Sequence, residues 1–223
     1  MFTALDLDFS KIESYIPFML KGTLFTLQFT FFSLLVGLIL GLILTLFKIS
    51  TIKPLKWFAV AYTSVFRGTP LLLQLTLVYF ATPQLIGIEI SALAAGVITF
   101  GMNSAAYVSE TMRGGILAVD KGQDEAAMSL GVPYATRMRH IILPQAFRNI
   151  LPSLVNEVIA LLKDSTLVSV IGVMDLLWRA KTVGNKIFVY FEPLLFAGLV
   201  YYLLVMALTI LANLLERRLR RGD

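Results

Sequence analysis

The sequence predicts an all-α polytopic membrane protein with five transmembrane helices and a helix-turn-helix loop on the cytoplasmic side. Three observations predict it. The 223 residues are 57% hydrophobic and only 15% charged, well outside the range of soluble domains. The apolar residues fall in runs of spanning length, since a hydrocarbon core about 30 Å thick needs roughly 20 helical residues. The lysines and arginines between those runs lie predominantly on one side.

The first span is expected over 23–47, an uncharged run that ends at Lys48. The second, 57–81, is interrupted by Arg67-Gly68-Thr69-Pro70, where proline removes a backbone donor and should kink or break the helix. The third, 90–110, is rich in small residues (Ala92, Ala94, Ala95, Gly96, Gly101, Ser104, Ala105, Ala106), which allow close helix packing in lipid. The fourth, 150–171, carries Asn156, Glu157, Lys163 and Asp164 and must face protein or water. The fifth, 193–215, opens beside Tyr190 and Phe191 as interfacial anchors and stops at Glu216-Arg217-Arg218.

Twelve basic residues then share one side: Lys48, Lys53, Lys56, Arg113, Lys121, Arg137, Arg139, Arg148, Arg217, Arg218, Arg220 and Arg221. Five fall on the other: Lys11, Lys21, Arg179, Lys181 and Lys186. Arg67 and Lys163 stay in the membrane. Short basic loops remain cytoplasmic, so the N-terminus is expected outside and the C-terminus inside. The net charge of +5 thus reports topology and not a nucleic-acid partner. Asp6, Asp8 and Glu13 precede the first run without a basic lead-in, so no cleaved signal peptide is expected. There is no cysteine, hence no disulfide or thiolate site, and the single histidine, His140, supports no metal centre. The whole of 1–223 reads as one transmembrane domain.

The longest stretch outside the membrane holds residues 120–145, which read as two short helices around a turn. Asp124 and Glu125 suit a first turn, where the helix dipole favours negative charge. Gly131 suits a left-handed terminus, and Pro133 can start the second helix. Ala126, Ala127 and Leu130 share a face on which another surface could rest.

The run Glu125-Ala126-Ala127, followed by Gly131, resembles the coupling-helix motif of permease subunits of ATP-binding-cassette importers, in the branch for polar amino acids. The resemblance covers nearly the whole chain. Arg67 to Leu75 (RGTPLLLQL), Ser109-Glu110, Arg113-Gly114-Gly115, Leu143 to Ala146 (LPQA) and Lys163 to Leu167 (KDSTL) follow in the same order. The resemblance implies a loop, carried by Asp124, Glu125, Ala126, Ala127, Leu130 and Gly131, that inserts into a separate ATPase. It also implies pairing with a second copy or a related permease, an extracellular solute-binding protein, and residence in the bacterial cytoplasmic membrane. The pattern GxxxxGK[ST] is absent from the sequence, so ATP and magnesium are expected on the partner. No cofactor is expected on this chain, and it is not expected to be an enzyme.

Charged groups at mid-membrane cost about 2.5–3.5 kcal/mol each on insertion scales, so those retained need a reason. Asn103, Tyr107 and Glu110 align on one face of the third span, and Glu157 and Asp164 on one face of the fourth. Seven residues place Glu157 and Asp164 about 10 Å apart along the axis, comparable to an extended arginine or lysine. Asn103, Glu110, Asn156, Glu157 and Asp164 are therefore the candidate substrate residues, with Glu157 as selector of the side chain. The embedded charges sum to a negative value, which favours arginine, lysine or histidine over glutamine or glutamate. Lys163 and Arg67 could equally be structural. An ion-coupled secondary transporter using the same carboxylates, and an intramembrane enzyme with Glu157 and Asp164 as acid and base, are the competing classes. The lack of internal repeats weighs against the first, and missing metal and nucleophile signatures weigh against the second.

Overall fold

In a computed structural model, residues 7–220 are described, and every regular element among them is helical. Arg221 and Asp6, both used above, lie outside the described residues.

A short helix, α1 (Ser10–Glu13), leads into α2 (Ile16–Ile49). Pro17 sits in the first turn of α2, where its missing N–H costs nothing, and the helix ends where Ser50 turns extended. At 34 residues it spans about 51 Å, so it outruns the expected 23–47 at the N-terminal end. The next segment, α3 (Lys53–Gly68), breaks at Pro70 and resumes as α4 (Leu71–Thr76), a π turn (Leu77–Ala81) and α5 (Thr82–Ile86). The two arms meet at a bend of 103°, so the interruption expected at Arg67–Pro70 is a sharp re-direction.

The long helix α6 (Ala92–Leu117) starts on Ser91, whose Oγ accepts the Ala94 N–H at 3.2 Å. It runs parallel to α2 along a seam of small residues. Gly37 faces Ser104, Gly41 faces Val108, and Phe29 meets Phe100 edge-on at 5.0 Å. A Cβ at Gly41 would stand 2.6 Å from Val108 Cγ1, so glycine there sets the helix separation. Ala95, Gly96, Gly101, Ser104, Ala105 and Ala106 are all buried, as their composition predicts.

After α6 come α7 (Lys121–Ser129), α8 (Tyr134–Arg137), a π turn (Met138–Ile142) and α9 (Leu143–Asp164). The second loop helix and the fourth span are therefore one nearly continuous helical path, not two elements with a break before Ile150. Pro144 lies in the first turn of α9 and Pro152 inside it. Helix α9 packs antiparallel to α6, with Ile150 against Gly115 and Glu157 against Ser104. It closes in a 3-10 segment, Ser165–Ile171.

Helix α10 (Leu176–Ile187) follows, and α11 (Phe191–Arg220) ends the described chain. Asp175 is fully buried and caps α10, accepting the Trp178 N–H at 2.8 Å and the Tyr201 hydroxyl at 3.2 Å. Burial pushes its carboxyl up to about 6. One core joins Phe29, Leu75, Phe100, Leu161 and Val168 at the middle of the bundle, and another joins Ile12, Met19, Leu176, Val183 and Ala197.

Three helices, α2, α6 and Phe191–Leu214 of α11, are long and apolar enough to cross a membrane, and a fourth crossing is added if the bent pair counts as one. Helix α9 is not among them, because Asn156, Glu157, Lys163 and Asp164 lower its apolarity. The chain is a multi-pass membrane protein whose lipid-compatible surface includes Leu24, Phe31, Phe32 and Ile39 on α2 and Leu199, Leu203 and Ile210 on α11.

Candidate functional site

The break at Pro70 organises the polar interior. Proline has no N–H, so the Phe66 carbonyl four residues earlier has lost its helical donor. Gln74 Nε2 supplies one at 2.9 Å and also reaches the Thr69 carbonyl (3.1 Å) and hydroxyl (2.7 Å). Asn103 Nδ2 donates to the same Phe66 carbonyl at 3.1 Å and to Gln74 Oε1 at 3.0 Å. The re-directed chain is thus fastened to α6 by one amide pair, the buried Gln74 and the half-buried Asn103. Sequence reasoning missed Gln74 and Thr69, although a glutamine four residues after an intramembrane proline was the available signal.

Beside this junction lies a cavity of about 310 Å³ lined by Thr69, Leu71, Asn103, Tyr107, Glu157, Ala160, Leu161 and Asp164. Four polar residues picked out in the sequence, Asn103, Tyr107, Glu157 and Asp164, meet there. Glu157 Oε1 accepts from Ser104 Oγ at 2.7 Å; Ser104 had been read only as a packing residue. Asp164 stands within electrostatic reach of Glu157. Neither carboxylate has a cation within 4 Å among the described residues, and Lys163 is exposed beside Asp164. The cavity therefore presents two carboxylates without a direct ion pair about two helical turns apart, Glu157 half-buried and Asp164 exposed with the Lys163 charge acting on it.

Glu110 is elsewhere. Its Oε1 meets Lys48 Nζ at 2.7 Å, and its Oε2 meets Arg113 Nη2 at 2.8 Å and Nε at 3.0 Å. Lys48 also donates to Ser109 Oγ at 2.8 Å, and its side chain is only 2% exposed. Lys48 is thus not a loop charge but a buried partner of Glu110, and removing it from the count leaves the basic asymmetry in place. With Glu110 covered by Lys48 and Arg113, the other embedded charges are Glu157 and Asp164 against Arg67 and Lys163, which balance, so the negative sum read from the sequence is not retained and only the local pair Glu157 and Asp164 speaks for a cationic ligand. Asn156 is also displaced from them. One residue along the helix turns it about 100°, and it lines a separate depression with Pro152, Thr209, Asn213 and Glu216.

Arg67 ends α3 with its guanidinium 5.3 Å from the centre of the Tyr107 ring. It is exposed on the single chain.

The loop is built as a short, well-capped helix. Asp120 caps α7 by accepting the Gly122 N–H at 2.6 Å, and Asp124 lies in the first turn. At the other end Gly131 takes φ 73°. Its N–H reaches the Met128 carbonyl at 2.9 Å and that of Val132 the Ala127 carbonyl at 3.0 Å, the paired bonds that finish a helix on a left-handed residue. Arg137 approaches Asp124 at 3.0 Å, a charge contact without hydrogen-bond alignment, and lies over Tyr134. Glu125 and Ala126 are exposed and Leu130 is 82% exposed, whereas Ala127 turns inward. The outward surface is thus narrower than the face that spacing alone suggested.

Residues 33–221 match the family described as binding-protein-dependent transport system inner membrane component. The chain is 52% identical over 219 residues to the arginine transport system permease protein ArtQ of Bacillus subtilis, covering 98% of this chain and all of that one. It is 48% identical over 209 residues to a Rickettsia bellii protein named for glutamine transport, GlnP (94% and 96% covered). It is 35% identical to the glutamate/aspartate import permease protein GltK of Escherichia coli (96% and 98%). A crystal structure described as an amino acid ABC transporter with histidines superimposes with a TM-score of 0.92 at 44% identity, covering 96% of this chain and 100% of the other. An inward-facing MetNI methionine ABC transporter shares the fold, with a TM-score of 0.76 at 20% identity (93% and 98%). With the coupling motif, the broken helix and the polar cavity in place, the chain belongs to the binding-protein-dependent inner membrane components, as a permease of the amino acid ATP-binding-cassette transporters.

Proposed function

We propose that this chain is the membrane subunit of an ATP-driven importer that moves a basic amino acid by alternating access through the cavity between α4, α6 and α9. The observation that carries the reading is the pair Glu157 and Asp164, two carboxylates on one cavity wall without a direct ion pair among the described residues. A charge partly withdrawn from water is costly unless paired, and a cationic substrate would pair the half-buried Glu157 while drawing on the exposed Asp164. Their spacing suits the α-ammonium group and a side-chain cation. Glu110 then belongs to the scaffold and Asn156 to another face of α9. The arginine-named relative at 52% identity points the same way.

In this reading five segments cross the bilayer, with α9 as a polar, protein-covered crossing and the N-terminus outside. The parallel packing of α2 with α6 and the antiparallel packing of α9 support that order. The bundle is one permease domain in the bacterial cytoplasmic membrane, paired with a second copy or a close relative. A separate ATPase holds ATP and magnesium and receives Glu125, Ala126 and Leu130, and a solute-binding protein delivers cargo to the outer face. Closure of the ATPase moves α7 and switches the bundle from inward-open to outward-open.

Glutamine is the second reading, since relatives named for it reach 48% identity and Asn103 and Ser104 are neutral hydrogen-bonding groups. The Glu157→Gln variant separates the two. Losing one charge-assisted contact of about 1.5–3 kcal/mol should raise the arginine concentration for half-maximal ATPase stimulation about tenfold or more. An unchanged arginine response, or a better glutamine response in the wild type, would overturn the basic-cargo assignment.

A further inference from the structure

Along α6, the polar residues on the cavity side change sign in one direction. Asn103 is level with Glu157, because Ser104 bonds that carboxylate, and Asp164 lies farther toward the end where α6 begins. One turn the other way Arg67 covers Tyr107. One more turn brings Glu110 with Lys48, and one more Arg113. Lys48 is within electrostatic reach of both Arg113 and Arg67, so the three cations form one layer over about 10 Å of α6, between Tyr107 and Arg113. Among the described residues only Glu110 opposes them, and it is already bonded to two. A pocket of about 530 Å³ lies at this layer, lined by Lys48, Glu110 and Arg113 together with Lys56.

We infer that Arg67, stacked on Tyr107 and backed by Lys48 and Arg113, is a cation barrier that separates the carboxylate cavity from the cytoplasmic mouth and keeps small inorganic cations from leaking through. A carboxylate-lined cavity attracts sodium, potassium and protons as well as an organic cation, and cavities with low-dielectric walls concentrate such ions. Fixed arginine charge on the far side of the cavity opposes their passage. Arg67 is the movable member, held by a ring face and by no ion pair among the described residues. Lys48 is locked in the α2–α6 seam. Withdrawal of Arg67 from Tyr107 would open the path inward. The side named cytoplasmic rests on the orientation proposed above; the barrier itself does not depend on which amino acid is carried.

The test is ion flux through the assembled transporter in proteoliposomes without ATP, using rubidium and chloride tracers. Arg67→Gln should raise rubidium flux about tenfold, the effect of removing one unit charge facing a narrow path, and should leave chloride flux unchanged. Arg67→Lys should restore low rubidium flux, because it keeps the charge. Rubidium flux equal to wild type, or rubidium and chloride rising together, would overturn the inference, the latter because it marks loosened packing. If Arg67→Gln does not assemble, Arg113→Gln decides, since that half-exposed residue lies on the same path and should give the same selective rise. No amino acid is present in this assay, so its result is independent of the cargo assignment.

Discussion

Replacing either partner of the Lys48–Glu110 pair should destabilise the protein, but unequally. Glu110→Gln leaves an ammonium whose side chain is 2% exposed without a carboxylate, and breaking a buried pair in this way costs about 3–5 kcal/mol. Lys48→Met removes the buried charge and leaves Glu110, 26% exposed, still held by both Arg113 nitrogens. Its cost should be only about 1–2 kcal/mol, near that of the lost hydrogen bonds. With each kcal/mol worth about 2–4 °C for a chain of this size, the melting temperature should fall about 6–20 °C for Glu110→Gln and about 2–8 °C for Lys48→Met. The double variant should be more stable than the sum of the two losses implies, because no unpaired ammonium remains. Thermal unfolding of the purified protein in detergent, followed by tryptophan fluorescence, measures all three. Equal losses in the single variants, or additive losses in the double, would show that the pair is not a buried, desolvated contact.

Three further outcomes follow from the packing and the caps. Gly41→Val should force α2 from α6 and destabilise by about 1–3 kcal/mol, visible as a lower melting temperature, whereas the same change at Gly68, which has open space around it, should be mild. Gly131→Ala places a Cβ at φ 73°, a strain of about 1–2 kcal/mol; substrate-stimulated ATPase activity should fall while permease abundance in the membrane is kept. Asp175 has its carboxyl raised to about 6 by burial, so the folded state holds a proton that the unfolded chain releases near pH 4. This contribution to stability is full below about pH 4 and is lost as pH rises through about 6. Asp175→Asn should flatten that part of a melting temperature against pH profile.

Much of the architecture was legible because bilayer thickness and backbone chemistry leave few choices. Small residues in the third span foretold its close packing, though not that α2 would be the partner, Arg67–Pro70 foretold a kinked or broken helix, and Gly131 foretold the left-handed end of α7. The errors have a common cause in reading each charge by its place along the chain. Lys48 follows an apolar run and looked like a loop residue, yet its long side chain turns back into the bundle toward Glu110. Glu110 shares a helical face with Asn103 and Tyr107 but is claimed by that lysine and by Arg113. Asn156 adjoins Glu157 in sequence and faces another way in space. The polar character of α9 was visible, but its join to the loop through a π turn was not, because Pro144 after Leu143 reads as a helix boundary, whereas it sits in the first turn of α9 and lets the helical path run on. Gln74 was overlooked because its task, satisfying a carbonyl freed by Pro70, exists only once the chain has bent.

The central claim, that the α4–α6–α9 cavity selects a basic amino acid through Glu157 and Asp164, is tested most directly by ATP-driven uptake of labelled arginine into proteoliposomes. The assay requires the permease with its ATPase and solute-binding protein. Wild type should accumulate arginine, with unlabelled lysine competing and glutamine not, and Glu157→Gln should lose most of that uptake while keeping its assembly with the ATPase. Full arginine uptake by Glu157→Gln, or competition by glutamine as strong as by lysine, would contradict it.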